Sequence, residues 1–184
     1  MKLKYIPNVL SVIRIMLVFV FVGLFFCNYP DNLKWALLVF LIAGATDVVD
    51  GFLARRFKWI SNVGKVLDPL ADKLMQCTVL ICLAVKNLIP WWLCAFYILK
   101  ELLIALGGLF VCKKKDIIVV SNRYGKAAVC VFYAAVFFII IFGEKLRSLP
   151  YLTELISAVM LATAVLAFSM YCVEYTKNNK TKRN

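Results

Sequence analysis

Residues 47–72 of the chain read DVVDGFLARRFKWISNVGKVLDPLAD. This stretch holds four of the ten acidic residues in the chain, and long apolar runs flank it on both sides. A carboxylate inside an apolar span costs at least about 2.5–3.5 kcal/mol, and acids in such places usually serve a function. The stretch therefore predicts a polar site built into an apolar helical bundle.

The composition of the whole chain is that of a membrane protein. Of its 184 residues, 64% are hydrophobic and 17% are charged, whereas a soluble domain is about 45–50% apolar and about 25% charged. A bilayer core requires about 20 apolar residues per helix. Six stretches qualify: 8–27, 33–54, 67–86, 91–112, 124–143 and 153–174. We expect an all-α bundle of six transmembrane helices, with residues 1–184 forming one membrane domain.

The positive charges predict the orientation of this bundle. With six spans, 15 of the 22 lysines and arginines fall on the side that holds both termini, and four fall on the opposite side. Positive residues accumulate on the cytoplasmic side of membrane proteins. We therefore expect cytoplasmic termini and a site that faces the cytoplasm. The net charge of +12 then indicates contact with lipid headgroups rather than with nucleic acid.

Two residue types narrow the possible chemistry. The chain has no histidine, which excludes histidine catalysis and histidine-ligated metal sites. Its seven cysteines are odd in number and lack the paired spacing of disulfide frameworks and zinc sites. We expect them to be small buried hydrophobic residues: Cys27, Cys77, Cys82, Cys94, Cys112, Cys130 and Cys172. The Trp91-Trp92 pair is typical of an aromatic belt at the membrane interface.

The spacing of the aspartates predicts that they converge. Asp47 and Asp50 are three residues apart, and Asp68 and Asp72 are four apart, so each pair shares one helix face. A short polar turn joins the second and third stretches, which makes them antiparallel neighbours. Four carboxylates in one apolar pocket would repel each other, and two divalent cations would neutralise them. Oxygen ligands without histidine or thiolate favour Mg²⁺, Mn²⁺ or Ca²⁺, and two such ions can clamp a phosphoryl group.

Two other interpretations of these acids remain open at this point. They can form a structural salt-bridge network with basic residues in and near the spans, namely Arg55, Lys65, Lys73 and Lys100. They can also line a cation or proton pathway, as in an ion-coupled transporter. Transporters often contain repeated halves, and no such repeat is visible in this sequence.

The same residues resemble the signature of the CDP-alcohol phosphatidyltransferase family, D-x2-D-G-x2-A-R-x8-G-x3-D-x3-D. All eight fixed positions occur at the family's spacing between Asp47 and Asp72. Members of this family are integral membrane enzymes of phospholipid synthesis and are commonly homodimers. They transfer a phosphatidyl or similar group from a CDP-linked donor to an alcohol and release CMP. The resemblance implies a membrane enzyme with CDP-diacylglycerol as donor.

The resemblance also implies roles for the signature residues. Asp47, Asp50, Asp68 and Asp72 would hold two Mg²⁺ or Mn²⁺ ions that bind the donor diphosphate. Asp72 is in addition the family's candidate general base for the acceptor hydroxyl, which is consistent with the absence of histidine.

The remaining fixed positions of the signature are assigned to the donor. Gly51 and Ala54 would line the cytidine pocket, and Arg55 would help to position the donor phosphate or its nucleotide. Gly64 would permit close approach near the same pocket.

The acceptor alcohol is indicated less directly. The segments Ile6–Arg14 and Asp68–Lys73 resemble those of bacterial family members that use glycerol 3-phosphate and form phosphatidylglycerophosphate. Phosphatidylglycerol, an inositol phosphate and serine remain alternative acceptors. Glycerol 3-phosphate carries a dianion that needs cationic partners, and the candidates are Lys100, Arg123, Lys126 and Arg14.

Each of these cations also has a purely structural interpretation. Arg123 and Lys126 can be ordinary cytoplasmic anchors, and Lys100 can pair with its neighbour Glu101. Arg14 can extend to the lipid headgroups.

Overall fold

The computed structural model describes residues 6–57, 64–113, 123–147 and 149–181, and these residues form six α-helices. The helices are α1 (Ile6–Phe26), α2 (Asn32–Phe57), α3 (Gly64–Val85), α4 (Trp91–Lys113), α5 (Arg123–Arg147) and α6 (Pro150–Thr181). The predicted all-α class is confirmed for these residues. Each helix covers one of the six predicted apolar stretches to within a few residues, and α6 extends furthest beyond its stretch.

Two helices in the described part of the chain are long and apolar enough to cross a membrane. They are Val9–Phe26 in α1, with a mean hydropathy of 2.7, and Tyr151–Met170 in α6, with a mean hydropathy of 1.9. A shorter apolar segment, Ala127–Gly143, lies in α5. The acids of the signature interrupt α2 and α3, whose longest uncharged runs are residues 35–46 and 74–85. The structure therefore supports two of the six predicted spans.

The contacts within the chain divide it into two compact units, Met1–Val85 and Lys86–Asn184. The first unit contains α1, α2 and α3, and it carries the whole aspartate signature. The second unit contains α4, α5 and α6. A single membrane domain over residues 1–184 stays a prediction.

In the first unit, α1 is the helix that packs against both of the others. It contacts α2 and α3 extensively, whereas α2 and α3 touch each other at only a few positions. We expected α2 and α3 to be direct neighbours because a short turn joins them, and that turn lies outside the described residues. Among the described residues the direct α2–α3 contact is small, whereas α1 packs along both helices and so borders both halves of the aspartate signature.

The α1–α2 connection is fixed by aromatic packing and by a turn. Phe21 stacks on Phe25 with 5.4 Å between ring centroids and lies 6.4 Å from Phe40 of α2, and all three side chains are fully buried. Asp31 adopts a φ of 59°, a region that aspartate and asparagine tolerate better than most residues. The Asn32 side-chain oxygen accepts a hydrogen bond from the Leu33 backbone N–H at 2.8 Å. These contacts hold the two helices side by side.

In the second unit, α6 is the central helix. It packs closely on α5 and more sparsely on α4. The Tyr97 hydroxyl of α4 donates a hydrogen bond of 3.0 Å to the Met160 carbonyl of α6, and the Tyr97 ring lies 5.8 Å from that of Phe132 in α5. Tyr97 therefore connects all three helices of this unit.

Tyr97→Phe is expected to destabilise the second unit only slightly. The Met160 carbonyl keeps the Thr163 hydroxyl as a donor at 3.0 Å, so the loss is about 0.5–1 kcal/mol. The midpoint of thermal unfolding in detergent should fall by about 1–4 °C. Tyr151→Phe, at a tyrosine that is 62% exposed, is the matched control and should leave the midpoint unchanged. Equal shifts in both variants would contradict this role for the Tyr97 hydroxyl.

The cysteines only partly meet the expectation that they are buried. Cys82 and Cys94 are buried and Cys77 is partly buried, but Cys27 and Cys130 are exposed. The expectation is wrong for Cys27 and Cys130 because Cys27 lies in the α1–α2 connection and Cys130 on an outward face of α5. None of these five described cysteines forms a disulfide. The side chains of Cys112 and Cys172 lie outside the described residues.

The tryptophans that begin α4 are on the surface of the second unit. Trp91 and Trp92 are both about half exposed, as expected for an aromatic belt. Tyr29 and Trp35 are likewise exposed at the α1–α2 connection.

Candidate active site

Two buried polar side chains of α1 contact the aspartates of α2 and α3. Ser11 and Arg14 are three residues apart in α1, which places them on one helix face. Ser11 is fully buried and Arg14 is 1% exposed. Arg14 contacts Asp47 of α2, and Ser11 contacts Asp68 of α3. One face of α1 thus bridges the two halves of the signature.

Asp47 is held by an ion pair. The Nη1 atom of Arg14 lies 3.0 Å from Oδ1 of Asp47, and 44% of the Asp47 side chain remains exposed. A buried guanidinium is stable only when it is paired, so Arg14 depends on this carboxylate. The pairing excludes the interpretation in which Arg14 extends to the lipid headgroups. It leaves one side of the Asp47 carboxylate open to a ligand.

Asp68 and Asp72 are held by hydrogen bonds. The Ser11 hydroxyl donates to Oδ1 of Asp68, and Nε2 of the buried Gln76 donates to Oδ2 of Asp72 at 3.0 Å. Both carboxylates are partly buried. Asp68 directly precedes Pro69 within α3, and proline cannot donate to the carbonyl four residues earlier. These donors fix the orientation of one oxygen on each carboxylate.

The charges of both helices act on Asp72. Lys73, Asp47 and Arg14 each contribute to the electrostatic environment of its carboxylate. Asp47 belongs to α2 and Asp72 to α3, so a charge from each half of the signature contributes to this environment. The convergence of all four aspartates stays a prediction, because the side chain of Asp50 lies outside the described residues.

The donor-binding candidates are located only by their backbone. Gly51, Ala54 and Arg55 continue α2 beyond Asp47, and Gly64 is the first residue of α3. Their side-chain surroundings lie outside the described residues. Their assignment to the donor stays a prediction.

The candidate acceptor cations are divided between the two units. Nζ of Lys100 lies 2.7 Å from Oε1 of Glu101 and 4.7 Å from the centre of the Tyr97 ring. The structural interpretation of Lys100 as the ion-pair partner of its neighbour is therefore confirmed. Arg123 is the first residue of α5 and Lys126 follows one turn later, and the side chains of both lie outside the described residues.

The donor atoms at this site suit a hard divalent cation. Asp47, Asp68 and Asp72 offer only carboxylate oxygens, the ligands that Mg²⁺ and Mn²⁺ prefer, and Asp47 has an open side. Among the described side chains, no three acidic or cysteine residues lie close enough together to hold an ion. Asp50, the fourth ligand of the predicted set, is not among those side chains. The residues present fit the chemistry of such an ion, and the two-ion cage stays a prediction.

Sequence reasoning missed two residues of this site. Ser11 lies outside the signature, and Gln76 lies four residues after its last aspartate. Both are polar residues in otherwise apolar helices, and a buried polar side chain requires a hydrogen-bond partner. Gln76 is also one turn from Asp72 on the same helix, a spacing at which side chains meet. The polarity of each residue within an apolar helix, and for Gln76 also its spacing from Asp72, would have identified them as candidates.

Comparison with known proteins identifies the family. A model of the family described as CDP-alcohol phosphatidyltransferase matches residues 4–171. A Rickettsia typhi protein named CDP-diacylglycerol–glycerol-3-phosphate 3-phosphatidyltransferase is 35% identical over 103 residues, which are 56% of this chain and 58% of that protein. A Pseudomonas fluorescens protein of the same name is 42% identical over 82 residues, 45% of this chain and 42% of that protein.

A relative with another name is similarly close. A Streptomyces coelicolor protein named cardiolipin synthase (CMP-forming) is 38% identical over 107 residues, which are 55% of this chain and 50% of that protein. The chain thus spans about half the length of the curated relatives it matches. The family model, by contrast, extends from α1 into α6 and includes every position of the aspartate signature. The chain therefore belongs to the CDP-alcohol phosphatidyltransferase family.

Proposed function

We propose that this protein transfers the phosphatidyl group of CDP-diacylglycerol to glycerol 3-phosphate, giving phosphatidylglycerophosphate and CMP. The observation that carries the proposal is that one face of α1 contacts both halves of the signature: Arg14 pairs with Asp47 of α2, and Ser11 donates to Asp68 of α3. The complete signature and the match over residues 4–171 favour this chemistry over an ion pathway. The names of the Rickettsia and Pseudomonas relatives favour glycerol 3-phosphate as the acceptor.

The proposed reaction needs divalent cations at the aspartates. Asp47, Asp50, Asp68 and Asp72 would hold two Mg²⁺ or Mn²⁺ ions. When bound, such ions neutralise the donor diphosphate and stabilise the charge of the leaving CMP. Gly51, Ala54, Arg55 and Gly64 would bind the remainder of the nucleotide, as the family resemblance implies.

The proton of the acceptor would pass to Asp72. The hydroxyl oxygen of the acceptor attacks the β-phosphorus, and the bond from that phosphorus to the CMP oxygen breaks. The Asp72 carboxylate accepts the hydroxyl proton as the new bond forms. Gln76 donates to Oδ2 of Asp72 and so leaves Oδ1 as the oxygen that takes the proton. The products are the phosphatidylated alcohol and CMP.

The acceptor phosphate would be bound by Lys100, Arg123 and Lys126. Lys100 is already in contact with Glu101, so it would have to be shared between that carboxylate and the acceptor. Arg14 was the fourth candidate, and its burial against Asp47 favours a role at the aspartates instead.

The proposal includes a location in the cell membrane. The two apolar helices α1 and α6 and the exposed aromatic rings at the helix ends support an embedded bundle. The proposed topology has six spans, cytoplasmic termini and a cytoplasmic active site, in accordance with the charge bias. The family resemblance further implies a homodimer in the membrane.

The decisive experiment for the acceptor is identification of the lipid product. The purified full-length protein in mixed micelles is supplied with CDP-diacylglycerol, Mg²⁺ and one acceptor at a time: glycerol 3-phosphate, phosphatidylglycerol, an inositol phosphate or serine. We expect phosphatidylglycerophosphate as the main product, identified by mass spectrometry together with equimolar CMP. Cardiolipin as the main product would instead assign the activity named for the Streptomyces relative. CMP release with none of the acceptors would contradict the proposed transfer.

A further inference from the structure

The charge of Arg14 is placed where it opposes cations and favours anions. Its side chain is 1% exposed and pairs with Asp47 at 3.0 Å. Its charge also contributes to the electrostatic environment of Asp72. A fixed charge in a buried position interacts more strongly with its neighbours than one in water. Arg14 therefore takes part in the electrostatics of any ligand that the aspartates bind.

We propose that Arg14 is a positioning residue that weakens the binding of divalent cations alone and strengthens the binding of the nucleotide diphosphate. This inference rests on the proposed function, because it takes the aspartates as the cation ligands. Its new content is that a residue of α1, outside the family signature, makes cation and nucleotide binding depend on each other.

The charge balance of the site supports this role. Two divalent ions would neutralise four carboxylates, so the charge of Arg14, beside that of Lys73, would then be surplus positive charge at the site. A surplus positive charge repels further cations and attracts a diphosphate. Without Arg14 the same site would hold cations more tightly and would attract the diphosphate less.

Ser11 holds the same face of α1 against α3. It is fully buried and donates to Asp68, while Arg14 pairs with Asp47 of α2. Since both contacts come from one face of α1, the position of the guanidinium relative to both halves of the signature is fixed by helix packing. The packing of α1 thus holds the charge of Arg14 at a fixed position.

The test measures two binding constants of the full-length protein in detergent micelles. The affinity for Mn²⁺ alone is measured by electron paramagnetic resonance of free Mn²⁺, and the affinity for CDP at saturating Mn²⁺ by calorimetry. For Arg14→Gln we expect Mn²⁺ binding that is about tenfold tighter and CDP binding that is about tenfold weaker, as for the loss of one nearby charge. A purely structural role would weaken both constants together.

Two further variants complete the test. Lys34→Gln removes the lysine of an exposed ion pair with Asp31 at the far end of α2, and it should leave both constants unchanged. If Arg14→Gln fails to fold, the same two binding constants are measured for Arg14→Lys. Its shorter side chain keeps the charge but moves it away from Asp47, so both shifts should keep their signs and be smaller.

The outcomes separate this inference from the proposed function. Opposite shifts in the two constants support the role of Arg14. Shifts in the same direction, or none, overturn it while leaving the proposed transfer intact. If the unaltered protein binds neither Mn²⁺ nor CDP, the proposed function fails, and the inference fails with it.

Discussion

Asp72→Asn is expected to reduce the rate of phosphatidyl transfer at least about 100-fold, because a positioned general base contributes about 10²–10⁴-fold. The asparagine side chain has the same shape but cannot accept the hydroxyl proton, and it is a weaker ligand for a hard cation. Gln76, which donates to Oδ2 of Asp72 at 3.0 Å, can still donate to the amide oxygen. We therefore expect the variant to fold and insert normally. The rate is measured as alcohol-dependent CMP release in mixed micelles.

The matched control for this prediction is Asp31→Asn. Asp31 lies in the α1–α2 connection with a φ of 59°, a conformation that asparagine also adopts readily. Its carboxylate contacts only an exposed lysine, Lys34, at 2.7 Å among the interactions described for it. The control makes the same chemical change in the same unit, and transfer should remain within about twofold of the unaltered rate. A similar loss of transfer in both variants, or retained transfer in Asp72→Asn, would contradict the assignment of the base.

The helices were predictable because their signal is local. Each of the six apolar stretches is long, and charged or polar residues separate it from the next. The α1 stretch, for example, begins and ends within two residues of its predicted bounds. Hydrophobic length depends only on neighbouring residues, so one sequence is sufficient to detect it. The family signature is equally local, because it lies within 26 residues.

The packing of these helices was not predictable in the same way. A short α2–α3 connection favours direct contact between the two helices, but α1 packs along both of them and their own contact is small. The decisive evidence is the distribution of buried faces over three helices. A periodic pattern of apolar residues would show which face of each helix is buried. A membrane helix has apolar residues on nearly every face, so this pattern is absent.

The partners of the acids follow from that packing. Arg14 was recognised as a cation near the site, but its pairing with Asp47 joins residues that lie 33 positions apart. The hydrogen bond from Ser11 to Asp68 joins residues even more distant in the chain. Such contacts depend on which face α1 turns toward α2 and α3. The acids themselves were predictable because each is costly in an apolar helix, whereas the side chains that position them were not.

Removal of divalent cations is expected to abolish transfer and also to destabilise the first unit. The Asp47 carboxylate opposes the negative charge of Asp72, while Lys73 and Arg14 offset it, and bound divalent ions would add to this compensation. Ions that bind the folded site alone stabilise it by about 2.7 kcal/mol at a concentration 100 times the dissociation constant. A chelator should therefore eliminate CMP release and lower the midpoint of thermal unfolding by several degrees. Added Mg²⁺ or Mn²⁺ should restore both.

The midpoint of thermal unfolding shows whether the cations bind at the aspartates. In Asp68→Asn the midpoint should respond much less to Mg²⁺, because one ligand is lost while the asparagine oxygen can still accept from the Ser11 hydroxyl. In Asp31→Asn the response should equal that of the unaltered protein, since Asp31 lies in the α1–α2 connection, at the opposite end of α2 from the signature. An equal Mg²⁺ response in all three proteins would place the cations elsewhere on the chain or on the lipid. Transfer that persists in the chelator would mean that Arg14 and the neighbouring cations alone can neutralise the diphosphate, and the two-ion proposal would then be wrong.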